Sequence, residues 1–365
     1  MVVQNALAEF LRRRSYAVVA GENSSGEKMK KFVIFGAGAW GTALALHLGT
    51  LGYEVLLVLR REEQALEMAR TRENSAHFPG FQLPANIHVS ANLTLKDAAA
   101  VFLGCATAGV IEFCKRINTA ATQDNSYPPI ISLCKGLVPE TRQLPSDAIA
   151  QLLPRHHVGA LSGPTYARDV AQGKQTAAVL AFAKNFEKLC EMQALISSHL
   201  FRVYRTNDLR GVELGGALKN PYAIGMGIAE QFAGSDNGRA ALLTRMLAEL
   251  TRIGTALGGC EKTFYGLSGL GDLVATGSGE WSRNRSFGLR IGRGEKAEVI
   301  AREGITIEGY GAAKGFREIC HAKNIRAPIL EGLCGILYES RPPEDICNML
   351  MCGDLREEID HYTNA

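Results

Sequence analysis

No apolar run in this chain reaches the roughly 18 residues that a membrane-spanning helix needs. No block of like charge stands out either, and a net charge of +3 over 365 residues is too small to argue for a nucleic-acid or membrane-surface partner. Neither a C-x-x-C pair nor an H-x-x-x-H pair occurs, so no metal site is expected. Nine cysteines are present, an odd number, scattered and partly in apolar segments. They read as reduced, buried thiols of a cytoplasmic protein rather than as a disulfide framework. The segment before Met29 lacks a signal-peptide core and cleavage site. Its run Arg12, Arg13, Arg14 is offset by Glu9, Glu22 and Glu27, which counts against a targeting peptide.

What remains is an ordinary globular composition, 46% hydrophobic and 21% charged. The length suits two domains, each with ample core. Met29-Lys30-Lys31 leads straight into the first strand, as a natural start would. Residues 1–28 are therefore expected to be a disordered or loosely helical extension.

Residues 32–43 read FVIFGAGAWGTA. Phe32 to Phe35 form a short strand, and a helix former begins at Thr42. Between them stand Gly36, Gly38 and Gly41, with Ala39 and Trp40 in the gap. The first glycine permits a sharp turn, the second a close backbone approach to a pyrophosphate, and the third tight packing of helix on strand. The pyrophosphate would sit on free N–H groups at the helix start. The strand-turn-helix context makes this a dinucleotide-binding turn rather than an incidental glycine cluster. The next strand, Tyr53 to Leu59, ends at Arg60 and Arg61, where an acid would select an unphosphorylated ribose. Two guanidiniums suit a 2′-phosphate, so NADP is expected, with NAD as the alternative. A pair of surface arginines opening a helix is the plainer reading.

Residues 71–92 look like loop. Apolar strands follow over 98–104, 130–134, 158–161, 176–182 and 201–205, alternating with helical stretches, which predicts a doubly wound, mostly parallel sheet. Lys135 stands just past one strand, where such sheets bind ligands. Ser162-Gly163-Pro164-Thr165 follows another strand, and Pro164 fits a first helical turn. After about residue 207 the strand signals stop and apolar residues recur at helical spacing. The predicted organisation is an α/β N-terminal Rossmann-type domain over 29–208 and an all-helical domain over 209–365.

The helical part holds three further features. Lys219 interrupts the apolar stretch GGALKNPYAIGMG, just before a Pro221 expected to kink the helix. Burial would lower its pKa and make it usable as a general base; a lysine snorkelling to solvent is an equally good reading of the periodicity. Asp272, in a glycine-rich turn, could cap a helix or orient that base. Ser282-Arg283-Asn284-Arg285 opens a helix with a hydroxyl, an amide and two guanidiniums, which suits a phosphate. Glu308, before Gly309, could be no more than a helix-start acid.

Taken together, FGAGAWGTALA, SLCKGL, LSGPTYARDV, GALKNPYAIGMG, GLSGLGDLVATG, SRNRSFG and IEG resemble, in order, the soluble, bacterial NAD(P)-dependent glycerol-3-phosphate dehydrogenases. The resemblance spans Met29 to about Glu358. It implies an active site between a Rossmann and a helical domain, and Lys219 as the proton acceptor from the C2 hydroxyl while hydride leaves C2. It further implies substrate contacts at Lys135, Gly163, Thr165, Asp272, Ser282, Arg283 and Asn284. Cofactor contacts are implied at Trp40, Arg60, Lys135, Ala167, Arg283 and Glu308. Val58 departs from the family, which often has Trp there. The implied role is supply of glycerol 3-phosphate for phospholipid synthesis. The partners are a small-molecule substrate, with no nucleic acid and no membrane span, and a homodimer is left open. Competing readings are a β-hydroxyacid or ketopantoate-type dehydrogenase, which would not need the Ser282–Asn284 cluster, and a non-catalytic nicotinamide-binding sensor, which would not need Lys219, Asp272 and Lys135.

Overall fold

The apolar runs pair side by side as strands. They are β1 (Lys31–Phe35), β2 (Glu54–Val58), β3 (Ile87–Ser90), β4 (Ala98–Leu103), β5 (Ile130–Ser132), β6 (Val158–Ser162), β7 (Thr176–Phe182) and β8 (Phe201–Thr206). Their order in one sheet is β3-β2-β1-β4-β5-β6-β7-β8. The computed structural model describes residues 29–233, 235–304 and 307–351; the expected extension over 1–28 and the last residues of the helical domain lie outside the described residues. All neighbouring strands are parallel except β6 and β7, which are antiparallel.

Alternation along the strands builds two cores. Phe32 and Ile34 of β1 join one buried apolar cluster, with Val55, Leu57 and Phe102. Val33 and Phe35 join another, with Leu56, Val58, Val101 and Leu103. Covered on both faces, β1 can be apolar from Phe32 to Phe35 without alternation, as a central parallel strand is. Helices α1 (Ala39–Thr50), α2 (Glu62–Thr71), α3 (Val110–Asp124), α4 (Pro145–Leu152), α5 (Ala167–Ala171) and α6 (Phe186–Ile196) supply the connections. The strand order reverses between β1 and β4, which opens a crevice at their carboxyl ends.

Two compact units are distinguished. One holds the sheet, residues up to Ala217, and Gly254–Asp272; the other holds Leu218–Ile253 and the chain from Leu273 onward. Residues 209–217 and 254–272, helical by sequence pattern, cluster with the sheet. Leu209 and Val212 bury themselves with Ala160, Val179 and Ala181, and Leu267 packs on the same cluster. The dividing points fall inside α7 (Leu209–Ala229), α8 (Asp236–Ala256) and α10 (Asp272–Ser278); α9 (Glu261–Phe264) precedes a π-helical turn at Leu267–Gly271.

The second unit is helical among its described residues: the rest of α7 and α8, α10 from Leu273, then α11 (Arg283–Gly292), α12 (Ala297–Ala301), α13 (Glu308–Ala322), α14 (Pro328–Tyr338) and α15 (Asp345–Met351). Pro221 lies inside α7 without ending it. Two glycines let α7 and α11 touch backbone to backbone. A Cβ on Gly288 would stand 2.0 Å from the Ile224 carbonyl oxygen, and one on Gly227 2.2 Å from that of Arg285. Arg285 fastens the crossing through a two-pronged pair with Glu230, whose Nη2–Oε2 arm is 2.8 Å. The start of α14 is capped from within: the buried Glu249 carboxylate accepts from Ile329 N at 2.9 Å, Leu330 N at 2.8 Å and the Tyr222 hydroxyl at 3.0 Å.

Candidate active site

The turn after β1 has the geometry a dinucleotide needs. Gly36 takes φ +98°, and a Cβ there would lie 2.7 Å from the Gly104 carbonyl oxygen. Its N–H bonds to Val58 O at 2.9 Å, and Gly104 N to Phe35 O at 2.7 Å, so the turn is stitched across the carboxyl ends of β2, β1 and β4. A Cβ on Gly41 would meet Gly36 O at 2.0 Å, so α1 lies directly against the turn. Gly38 differs. A Cβ there would find nothing closer than 3.9 Å, so it faces open space. Gly38 is the N-cap of α1 and offers no side chain to the helix N–H groups. A space bounded by uncapped N–H groups suits a pyrophosphate. Ala39 and Trp40 form the first helical positions, and the Trp40 indole N–H has no hydrogen-bond partner among the described residues. The residues present therefore fit the group.

Arg60 and Arg61 are exposed at the end of β2, and Arg61 is the N-cap of α2. Arg60 approaches Glu112 only to 4.0 Å, a pair in solvent and worth little. Its guanidinium is accessible to a ligand.

Farther along the same carboxyl edge, beyond β5 and β6, the first unit gathers a second group. Lys135 donates through Nζ to Asp272 Oδ2 at 2.6 Å and to the Gly163 carbonyl at 2.8 Å. The Asp272 side chain is only 3% exposed and that of Lys135 15%. The pair is thus a shielded one that leaves a lysine edge accessible. Gly163 takes φ +130°, which a side chain would resist, and Thr165 donates its hydroxyl to the same carbonyl at 3.2 Å. The turn runs longer than the sequence suggests: the helix starts at Ala167, not Pro164, because Tyr166 is still extended. Ala167 is half-buried and packs on the cluster beneath α1.

In the second unit Lys219 is buried, 6% exposed, and donates to Thr276 Oγ1 at 2.6 Å. Burial rules out a lysine that reaches freely for solvent. The next residue, Asn220, links three motifs that are far apart in sequence. Its amide nitrogen donates to Glu308 Oε2 at 3.3 Å, and its oxygen accepts from Asn284 Nδ2 at 2.8 Å. Asn284 Oδ1 in turn accepts from Gly309 N at 3.0 Å. A Cβ on Gly309 would lie 2.5 Å from Asn220 O, so glycine is required where α13 begins. This chain of amides fixes the Asn284 side chain and holds the half-buried Glu308 carboxylate.

Ser282 is the buried N-cap of α11 and accepts from Arg285 N at 3.1 Å. The sequence offered two arginines to a phosphate. Arg285 is committed to Glu230, whereas Arg283 is exposed and lines a cavity of about 220 Å³ with Trp281, Phe287, Ile300 and Ile307. The sequence reading missed the roles of Thr276 and Asn220. Both stand inside motifs it quoted, but partners 57 and 88 residues away leave no local signal.

The chain is similar to known proteins over most of its length. A family model described as the NAD-dependent glycerol-3-phosphate dehydrogenase N-terminus matches residues 31–188, and its C-terminal counterpart matches residues 208–348. A glycerol-3-phosphate dehydrogenase [NAD(P)+] of Thiobacillus denitrificans is 37% identical over 333 residues, covering 90% of this chain and 100% of the relative. One from Ralstonia nicotianae is 37% identical over 338 residues, covering 89% and 98%. Among solved structures, a glycerol-3-phosphate dehydrogenase of Coxiella burnetii superposes with a TM-score of 0.82 at 31% identity, covering 88% of this chain and 99% of that one.

Proposed function

This chain belongs to the family of NAD-dependent glycerol-3-phosphate dehydrogenases, and from that membership and the Lys219 environment we propose how its residues carry the reaction. The enzyme interconverts dihydroxyacetone phosphate and sn-glycerol 3-phosphate with NAD(P). The ketopantoate-type and non-catalytic readings give way to it.

The observation that carries the proposal is the buried ammonium of Lys219 held against Thr276 Oγ1. In the reducing direction Lys219 donates a proton to the oxygen on C2 as hydride reaches that carbon, and in the oxidising direction the neutral amine takes it back. A positioned acid/base of this kind contributes about 10²–10⁴-fold in rate. The dinucleotide, which supplies or accepts the hydride, would be held by Gly36, Gly38, Ala39, Trp40 and Gly41, with Arg60 and Arg61 on its adenine ribose. Ala167, Arg283 and Glu308 complete that set. Lys135, kept in place by Asp272 and the Gly163 carbonyl, presents its ammonium to substrate and cofactor. Gly163 and Thr165 border the substrate. Asn284, Arg283 and the Ser282-capped start of α11 grip its phosphate, because that cluster combines an exposed guanidinium, a fixed amide and a helix N-terminus.

Two accessible guanidiniums after β2 support a preference for NADPH. Supply of glycerol 3-phosphate for phospholipid synthesis in the cytoplasm is the role that fits this chemistry, and a homodimer is a compatible assembly. The test is spectrophotometric: NADPH loss with dihydroxyacetone phosphate, with ketopantoate, and with no second substrate. Loss with dihydroxyacetone phosphate alone, abolished in Lys219→Ala, is the expected result. Equal turnover of ketopantoate, or an unaffected Lys219→Ala, would overturn the assignment.

A further inference from the structure

Asn74 is 3% exposed, and its side-chain amide nitrogen donates to two acceptors. These are the Ala37 carbonyl at 2.8 Å and Thr42 Oγ1 at 2.8 Å. Ala37 lies in the glycine turn and Thr42 in the first part of α1. One buried amide thus ties the turn to the helix it opens. The tie comes from a loop that belongs to neither.

That loop is built to deliver it. Arg72 ends α2 in the left-handed region, φ 56°, and turns its guanidinium back onto the loop's own carbonyls. It donates to Ile87 O at 2.9 Å and Leu83 O at 3.0 Å, and also to Pro84 O. The Asn74 carbonyl accepts from His77 N at 3.1 Å and Phe78 N at 2.7 Å. Glu73 and Gln82 close the base of the excursion with a bridge. Both Asn74 backbone and side chain are therefore fixed before any ligand arrives.

We propose that Asn74 is a positioning residue for the dinucleotide, clamping the Ala37–Gly38 peptide so that the N–H groups of the turn and of the α1 start face the pyrophosphate. In a trans peptide the carbonyl and the following N–H point to opposite sides. Holding Ala37 O toward Asn74 therefore turns the Gly38 N–H away from it. Gly38 faces open space and Gly36 sits at a positive φ, so little else in the turn restrains this peptide. A half-buried carbonyl deprived of its donor would turn elsewhere for a partner, and the N–H on its other face would turn with it. The proposal rests on the dehydrogenase reading above.

The same loop supplies its own control. Asn86 donates through Nδ2 to Gly49 O at 2.9 Å and Tyr53 O at 2.8 Å, so it makes two equivalent bonds at the opposite end of α1, far from the turn. In the full-length enzyme, the dissociation constants of NADPH and NADH are measured by fluorescence quenching, alongside Tm and steady-state kinetics. Asn74→Ala should weaken both dinucleotides about tenfold or more, with kcat at saturating NADPH and KM for dihydroxyacetone phosphate near wild type. Asn86→Ala should lower Tm and leave dinucleotide affinity unchanged. Wild-type affinity in a folded Asn74→Ala, or an equal loss in Asn86→Ala, overturns the clamp. Where Asn74→Ala does not accumulate, Thr42→Val removes one acceptor at nearly constant shape, and unchanged affinity there overturns it too. Failure of the wild-type protein to bind any dinucleotide would instead sink the dehydrogenase reading.

Discussion

Lys219 Nζ and Thr276 Oγ1 stand 2.6 Å apart, both side chains buried. A lysine must spend conformational freedom to work as an acid/base, and a hydroxyl acceptor on another helix, α10, helps to fix where its proton points. Thr276→Val keeps the shape and removes the acceptor. It should lower kcat by about 10- to 100-fold while dinucleotide affinity holds, because the defect lies in proton transfer. Lys219→Ala should lose nearly all turnover and still bind NADPH. A Thr276→Val enzyme with wild-type kcat would show that the hydroxyl is only packing.

The glycine turn makes a contrasting pair of predictions. Gly38→Ala places a methyl in open space, so the protein should fold with near-wild-type Tm yet bind dinucleotide poorly, the methyl lying where a pyrophosphate would approach. Gly41→Ala places its methyl 2.0 Å from a backbone oxygen, so α1 must lift off β1 and Tm should fall. Thermal melts and dinucleotide titrations on the two variants separate these outcomes. Equal melting losses would mean that Gly38 is structural too.

What could be read beforehand, and what could not, follows from how far each signal travels along the chain. The β1 turn was legible because strand, glycines and helix are consecutive. Lys219 and Asn284 were legible as motif members, but the bond through Asn220 that joins Asn284 to the Glu308 carboxylate crosses most of the helical part of the sequence. β3 reads as loop in the sequence because it has four residues with one buried, too few to show a two-residue period. The antiparallel pairing of β6 with β7 left no trace, since an apolar run reads the same in either direction. Asn74 is indistinguishable in the sequence from other loop asparagines because its acceptors lie 32 and 37 residues back.

The proposed preference for NADPH rests on Arg60. Its side chain is 61% exposed, with Glu112 at 4.0 Å as a weak neighbour. Arg60→Asp should shift the ratio of kcat/KM for NADPH over NADH toward NADH by about tenfold or more, since an acid repels the 2′-phosphate and accepts from a 2′-hydroxyl. Steady-state kinetics with both dinucleotides measure it. An unchanged ratio would leave Arg60 a surface residue and remove the argument for NADPH.

Glu213, on α7, sets a pH dependence of stability. Its carboxyl is buried and accepts from Ser146 N at 3.0 Å and from the Ser146 hydroxyl, capping the start of α4. Burial pushes its pKa up to about 7, with Asp147 raising it further and the Ser146 bonds and Arg210 pulling it down. In the unfolded chain the group returns to the ordinary range near 4.5. Between these values the folded state holds the proton and the unfolded state does not, so stability falls as pH rises through that window. The stabilising contribution is complete below about pH 4.5, where both states are protonated, and the cost of a buried carboxylate is complete above about pH 7, roughly 3 kcal/mol between the two limits. Glu249, also buried and also raised, acts in the same direction. Glu213→Gln keeps an acceptor for Ser146 N without the titration. Its Tm should vary less between pH 5 and 8 than that of the wild type and should exceed it at pH 8. A wild-type slope retained in Glu213→Gln would assign the effect to Glu249, whose amide variant is then the one to flatten the curve.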